Sequence, residues 1–317
     1  MTQTLDLYPD QMVIPIIAFR STPPTSLLGN TSALTVYSPG DFRIDNAFWR
    51  WNNNSEFPDD LMQIELLPDL YNPVGDSIEQ AGFQALTAEE IMRTSYDSDY
   101  TGSGTVPYPI ESGGSFPRRM RDLAQLIKLD TDLSLRIAAL DFGGWDTHTG
   151  QNSGNYFDNS LGVLCQSIAA FLDDLAQSGG DYFDRTTIIL QSEFGRRAFQ
   201  NYDQGTDHGS GNIMLALGKP VAGGAVYGEW PGLYPGSDWV TYPNPKTGLF
   251  TPELFEGAVA TTTDFRNVLG EYLMQRCQYS TNTLSSVFPG FSNYSPQGVF
   301  KPLGGATGNE ILSDNFD

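Results

Sequence analysis

The chain has 317 residues, of which 39 % are hydrophobic and 12 % aromatic, so it can bury a substantial core in one large or two small domains. Its 38 acidic residues outnumber its 17 basic ones, giving a formal net charge of −21, which suits a secreted, salt-exposed or cation-binding protein and equally a plain acidic one. A surface with this much negative charge repels nucleic acid, so no nucleic-acid partner is expected. No apolar run approaches the roughly 20 residues of a membrane span, so no transmembrane segment is expected.

The first 130 residues predict two strands followed by two helices. The apolar segments MVIPIIAF (12–19) and SALTVYS (32–38) have the length and composition of strands. In TAEEIMRTSYD, Thr87 followed by Glu90 predicts a capping box that begins a helix. In PRRMRDLAQLIKLD (117–130), apolar side chains recur on one helical face, which predicts an amphipathic helix.

The second half alternates between strand and helix patterns. An apolar run at 135–141, a helical pattern over 155–178 that ends at two glycines, and a second apolar run at 186–191 form a strand–helix–strand unit. The strands of such a unit are parallel. A further helix, capped near Thr263, is predicted before Cys277. We therefore expect an α/β fold with a mostly parallel sheet and helices on both faces.

We expect one domain over residues 1–317, with residues 293–317 as a peripheral tail. The first 20 residues lack the charged and apolar regions of a signal peptide. The chain has two cysteines. Cys165 lies within a predicted apolar helix face and is expected to be a buried free thiol, although one disulfide with Cys277 remains an alternative.

Polar residues with metal-ligating side chains follow both strands of the predicted unit. Asp146 and His148 lie in GGWDTH after the first strand, and Glu193 and Arg196 lie in SEFGR after the second. The carboxyl ends of parallel strands are where ligands bind in such sheets.

A third polar segment, GTDHG, follows about a dozen residues later and carries Asp207 and His208. Both histidines of the chain thus lie in loops beside aspartates. Two imidazoles with carboxylates suit zinc or a similar divalent ion, which supports hydrolysis. The alternatives are hydrogen-bonded surface pairs of His and Asp, and an Arg196 that only pairs with Glu193 or Asp207.

Six segments together resemble one protein family. They are GGWDTHTGQ, IILQSEFGRR, GTDHG, GGAVYG, ATTTDFRNVL and VFPGF. In this order they are similar to domain of unknown function 1501, mostly exported bacterial proteins related to sulfatases and alkaline phosphatase. The likeness covers roughly residues 115–292, and residues 13–60 more loosely.

The resemblance implies the alkaline-phosphatase-like fold and a site with two metal ions. Asp146, His148 and His208 match the Asp and two His that hold one ion, and Glu193 matches a carboxylate of the other. Asp207 is either a further ligand or a carboxylate that orients His208. Zinc is the expected ion, with calcium, magnesium and manganese as alternatives. Arg196 would neutralise the anionic group of a phosphate or sulfate ester.

The sequence departs from that family pattern in two places. The first strand with its metal-binding Asp, and the segment with the nucleophile, are not found, and Phe194 stands where alkaline phosphatases have a ligating His. This predicts a metal-dependent ester hydrolase that needs a second chain for its N-terminal part. The alternative is a non-catalytic structural or binding protein of a cell-surface or extracellular assembly. The family likeness implies a periplasmic or extracellular location.

Overall fold

The computed structural model describes residues 13–24, 27, 33–42, 75–129, 133–233, 254–255 and 257–303. The chain divides into two compact units. The first comprises residues 1–143 and 160–182, and the second comprises residues 144–159 and 183–317. The described part of the chain mixes helices and strands, as an α/β protein does. Among its helices, none is long and apolar enough to cross a membrane.

The first unit contains a parallel sheet of three strands. They are β1 (Ile16–Phe19), β2 (Ala33–Val36) and β3 (Ile137–Ala139), in the order β2-β1-β3. Ile16 is aligned with Ala33 on one side and with Ile137 on the other. All four residues of β1 are buried, as expected for a central strand of a parallel sheet, which is covered on both faces. The three strands predicted in these segments are confirmed.

Two helices of this unit, α1 (Ser77–Ser95) and α2 (Ser115–Lys128), lie between the second and third strands along the chain. The predicted start of α1 at Thr87 is wrong, because Asp76 is the N-cap and accepts hydrogen bonds from the amides of Ile78 and Glu79. Thr87 lies within the helix and donates its hydroxyl to the carbonyl of Phe83. The predicted amphipathic helix α2 is confirmed, with Met120, Leu123 and Leu126 buried.

The helix α3 (Tyr156–Gln177) has its first four residues in the second unit and the rest in the first. Its Asp174 is 1 % exposed and pairs with Lys128 at 2.5 Å. The same carboxylate accepts hydrogen bonds from the hydroxyls of Tyr100 at 2.7 Å and Tyr108 at 2.8 Å, and from the amide of Ser103 at 2.6 Å. Asp174 thereby holds an otherwise irregular loop on α3.

The second unit contains short antiparallel pairs, so the predicted strand–helix–strand unit is not formed as one parallel sheet. The strand β4 (Ile188–Leu190) pairs antiparallel with β7 (Leu215–Leu217), whereas β3 belongs to the sheet of the first unit. The other pairs are β5 (Gly195–Arg196) with β6 (His208–Gly209), and β8 (Leu254–Phe255) with β9 (Ala258–Val259). The apolar pattern correctly predicts β4 but cannot specify its pairing partner, because that partner lies elsewhere in the chain.

Three further helices belong wholly or mainly to the second unit: α4 (Tyr182–Arg185), α5 (Phe265–Cys277) and α6 (Thr281–Val287). The N-cap of α5 is Asp264, one residue beyond the predicted Thr263, and it accepts a hydrogen bond from the amide of Arg266. A small core of this unit is built from three buried residues with partly buried neighbours. They are Val221, Val299 and Phe300, packed against Ile189, Ala216, Val268 and Tyr272.

The first part of the predicted peripheral tail packs into this core. Val299 and Phe300 are buried, and the buried carboxylate of Glu271 accepts hydrogen bonds from the amides of Gln297, Gly298 and Phe300. Residues 297–300 therefore find partners on α5 for their backbone amides and apolar side chains. Residues 304–317 lie outside the described residues.

The two cysteines are free thiols. Cys165 is exposed, which contradicts the predicted buried thiol, and Cys277 is half-buried. The buried face of α3 instead includes Ile168, Phe171 and Leu175.

Candidate metal centre

Three chain segments of the second unit converge to build the candidate site. The loop after Gly144 runs antiparallel to residues 203–206, with Thr149 bridged to Gln204 and the amide of Thr206 donating to the carbonyl of Thr147 at 3.1 Å. The strand β6 then pairs with β5, which aligns His208 with Arg196. These backbone pairings bring residues from near 146, 196 and 208 together, although they are distant in sequence.

Glycine is required where two of these segments touch. A Cβ added to Gly205 would overlap the backbone carbonyl group of His148. The amide of Gly205 also donates to the side chain of Asn201 at 2.9 Å, which closes the turn before Thr206. This close approach sets the distance between the backbone of His148 and the segment that carries Gly205 and His208.

Asp146, His148 and His208 form a compact triad of potential ligand atoms. The Oδ1 atom of Asp146 lies 2.7 Å from Nε2 of His208 and 3.1 Å from Nε2 of His148. The two Nε2 atoms lie 3.0 Å apart. All three side chains are between 45 % and 58 % exposed, so the triad faces solvent. The sequence prediction that these three residues lie together is confirmed by their geometry.

Arg196 is fixed beside the triad by two hydrogen bonds to Thr206. Its Nε donates to the Thr206 hydroxyl at 3.0 Å, and its Nη2 donates to the Thr206 carbonyl. Its Nη1 donates to Oδ1 of Asp146, so Arg196 pairs with a residue of the triad, where the sequence offered Glu193 or Asp207 as its partner. The hydrogen bonds from Arg196 and His208 lower the pKa of Asp146 below its ordinary value, and this keeps the carboxylate ionised.

Asp207 contacts the Nδ1 side of the His148 ring and is not one of the three triad residues. Its Oδ1 is 3.3 Å from Nδ1 of His148, while Nε2 of the same ring faces Asp146 and His208. Hydrogen bonds from Asn201 and His148 lower the pKa of Asp207. The sequence offered Asp207 as a ligand or as a partner of His208, whereas its imidazole contact is with His148.

Two further features concern the predicted second metal. Glu193 is exposed and does not belong to the triad or to another metal-ligand group among the described residues. The neighbouring Phe194 stacks on the imidazole of His208, with ring centroids 4.0 Å apart and planes inclined by 28°. Glu193 is therefore not brought to the triad, and Phe194 covers one face of a triad residue with an apolar ring.

Three residues of this site were missed by sequence reasoning. Thr206 holds Arg196 and donates its hydroxyl to the side chain of Gln151 at 2.8 Å, and Asn201 contacts both Asp207 and His148. Uncharged side chains such as these carry no distinctive spacing in the sequence. The contacts of these three residues with the site form only when residues 147–151 pair with residues 203–206.

Comparison with known proteins supports the family over part of the chain. The model of a family described as "Protein of unknown function (DUF1501)" matches residues 131–244, a segment that contains the triad, Arg196 and Asp207. No curated protein and no solved structure matches the chain.

Proposed function

We propose that the triad of Asp146, His148 and His208 binds one divalent metal ion in a hydrolase of phosphoric or sulfuric esters related to the sulfatases and alkaline phosphatase. The observation that carries the proposal is the convergence of the only two histidines and one ionised aspartate on one point, with their ligand atoms 2.7 to 3.1 Å apart. The family of unknown function matches the segment that carries the triad. The hydrolase assignment itself is based on the resemblance of the surrounding motifs.

The donor set favours zinc or a similar transition metal. Imidazole nitrogens suit zinc, whereas calcium and magnesium prefer oxygen ligands, so two histidines disfavour the latter two ions. In a tetrahedral zinc site, bonds of about 2.0 Å separate the ligand atoms by about 3.3 Å. The observed separations are close to this value, so a small opening of the triad would fit the ion.

Three protein ligands leave a position for water or substrate, as in catalytic rather than structural zinc sites. A bound divalent ion lowers the pKa of water and offsets negative charge on the substrate's oxygens. Arg196, held by Thr206 at the edge of the triad, supplies a guanidinium that can pair with the non-bridging oxygens of the ester. We propose that the protein acts with a partner chain in the periplasm or outside the cell.

The experiment compares wild-type protein, isolated with any associated chain, with the His148→Ala and His208→Ala variants. Elemental analysis is expected to find about one zinc per wild-type chain and little in either variant. p-Nitrophenyl phosphate and p-nitrophenyl sulfate then test turnover, which is expected to be lost in both variants. Wild-type protein that binds no divalent ion would contradict the proposal.

A non-catalytic binding or structural role is the second candidate. The open exposure of the triad favours it, because hydrolytic centres usually lie in clefts that exclude water. Bound zinc without turnover of either ester, in protein that retains its associated chain, would support this second role.

A further inference from the structure

We infer that Asp207, held by Asn201, positions His148 to bind the metal ion through Nε2 and is not itself a ligand. This inference rests on the proposed metal site and assigns one carboxylate of that site a separate role. It concerns only residues of the second unit, whose contacts the structure describes.

The first argument is the geometry of the His148 ring. Its Nδ1 lies 3.3 Å from Oδ1 of Asp207, and its Nε2 lies 3.0 Å from Nε2 of His208 on the opposite edge. An imidazole with a proton on Nδ1 can donate that hydrogen to Asp207 and keeps a free electron pair on Nε2. The carboxylate thus selects the tautomer in which Nε2 can bind a metal ion.

The second argument is the way in which Asn201 holds Asp207. The side-chain amide nitrogen of Asn201 donates to Oδ1 of Asp207 at 3.0 Å and to the backbone carbonyl of His148 at 2.9 Å. Its oxygen accepts from the amides of Asp203 at 3.1 Å and Gly205 at 2.9 Å. One end of the Asn201 amide faces two acceptors, and the other end faces two backbone N–H donors. These partners determine which end is the nitrogen and which is the oxygen.

Asn201 therefore binds both residues of the contact between His148 and Asp207. It binds the carboxylate that faces the ring and the backbone of the residue that carries the ring. The backbone amides of Asp203 and Gly205 also donate to its side-chain oxygen, so the amide group cannot rotate without losing these hydrogen bonds. Such a fixed partner for the second nitrogen is how proteins commonly orient a ligating histidine.

The test measures zinc affinity of the full chain by competition with a chromophoric chelator. Asp207→Ala is expected to weaken zinc binding 10- to 100-fold. Asp207→Asn is expected to retain most of the affinity, because its amide oxygen still accepts a hydrogen from Nδ1. Asp203→Asn, an exposed carboxylate of the same turn, is the matched control and should stay within twofold of wild type.

A second measurement leaves Asp207 unchanged. With two histidines in the chain, ¹⁵N-labelled histidine gives two imidazole spin systems in an NMR spectrum, and His208→Gln assigns them. In the zinc-loaded protein, His148 is expected to carry its proton on Nδ1 and to bind zinc through Nε2. The melting temperature of the metal-free variants shows whether they remain folded.

Four results would overturn the inference. Equal zinc affinity of wild type and Asp207→Ala would remove it and leave the metal site intact. If Asp207→Asn and Asp207→Ala weaken zinc binding equally, Asp207 is a ligand or is not the orienting group. The same conclusion would follow if zinc binds Nδ1 of His148. A wild-type chain that binds no zinc would remove the proposed function and this inference together.

Discussion

The Nε2 atoms of His148 and His208 lie 3.0 Å apart although 60 positions of sequence separate the two residues. Uncharged imidazoles so close to each other can share one hydrogen bond, and a cation between them satisfies both nitrogen lone pairs. The closeness depends on the pairing of residues 147–151 with residues 203–206 and of β5 with β6.

Glu193 is expected not to contribute to zinc binding. Because it lies outside the triad, Glu193→Gln should leave the zinc dissociation constant within twofold of wild type. Asp146→Asn, the same chemical change at a triad residue, should weaken binding at least tenfold. Both constants are measured by chelator competition, and a tenfold loss in Glu193→Gln would show that this residue is a ligand.

Gly205→Ala is expected to weaken zinc binding without a change in any ligand. The added Cβ overlaps the backbone of His148, which cannot give way without moving that residue relative to His208. Gly223→Ala is the matched control, because a Cβ there meets no atom within 4 Å. Zinc affinity and melting temperature of both variants distinguish a local displacement from general unfolding. Equal affinities in the two variants would contradict the close approach described above.

Asp174→Asn is expected to destabilise the first unit by about 3 kcal/mol, because it leaves the Lys128 ammonium largely buried without a carboxylate partner. Asp184→Asn removes one partner of the exposed pair with Lys219 and should cost less than about 1 kcal/mol. Urea unfolding at pH 7 gives both free energies. Similar small losses in both variants would show that the Lys128–Asp174 pair has little net effect.

The destabilisation by Asp174→Asn is expected to depend on pH. Burial alone would raise the pKa of Asp174, but hydrogen bonds from Lys128, Ser103 and two tyrosines lower it below its ordinary value. A carboxylate with a lowered pKa in the folded state stabilises the protein above its unfolded pKa, and that stability is lost as the pH falls through the folded pKa. The difference in unfolding free energy between wild type and Asp174→Asn should therefore be smaller at pH 3 than at pH 7. A difference that widens toward pH 3 would contradict the lowered pKa.

The local elements of this protein were largely predictable from its sequence. The strands near residues 16, 34, 138 and 189 and the helix α2 follow from apolar periodicity, which depends only on neighbouring residues. The start of α1 was not predictable in this way, because Thr87 followed by Glu90 has the pattern of a cap but lies inside a longer helix that Asp76 begins. A cap pattern is a local preference, and here the cap at Asp76 begins the helix well before Thr87.

The candidate metal ligands could be identified from residue types alone, since the chain has two histidines and both stand near aspartates. The folded chain was needed to show that Asp146, His148 and His208 converge, that Asp207 faces His148, and that Glu193 is not part of the triad. It also decided that β3 and β4 belong to different sheets. The physical reason is that residue type and spacing record local chemistry, whereas strand pairing and side-chain contacts depend on backbone hydrogen bonds between distant segments.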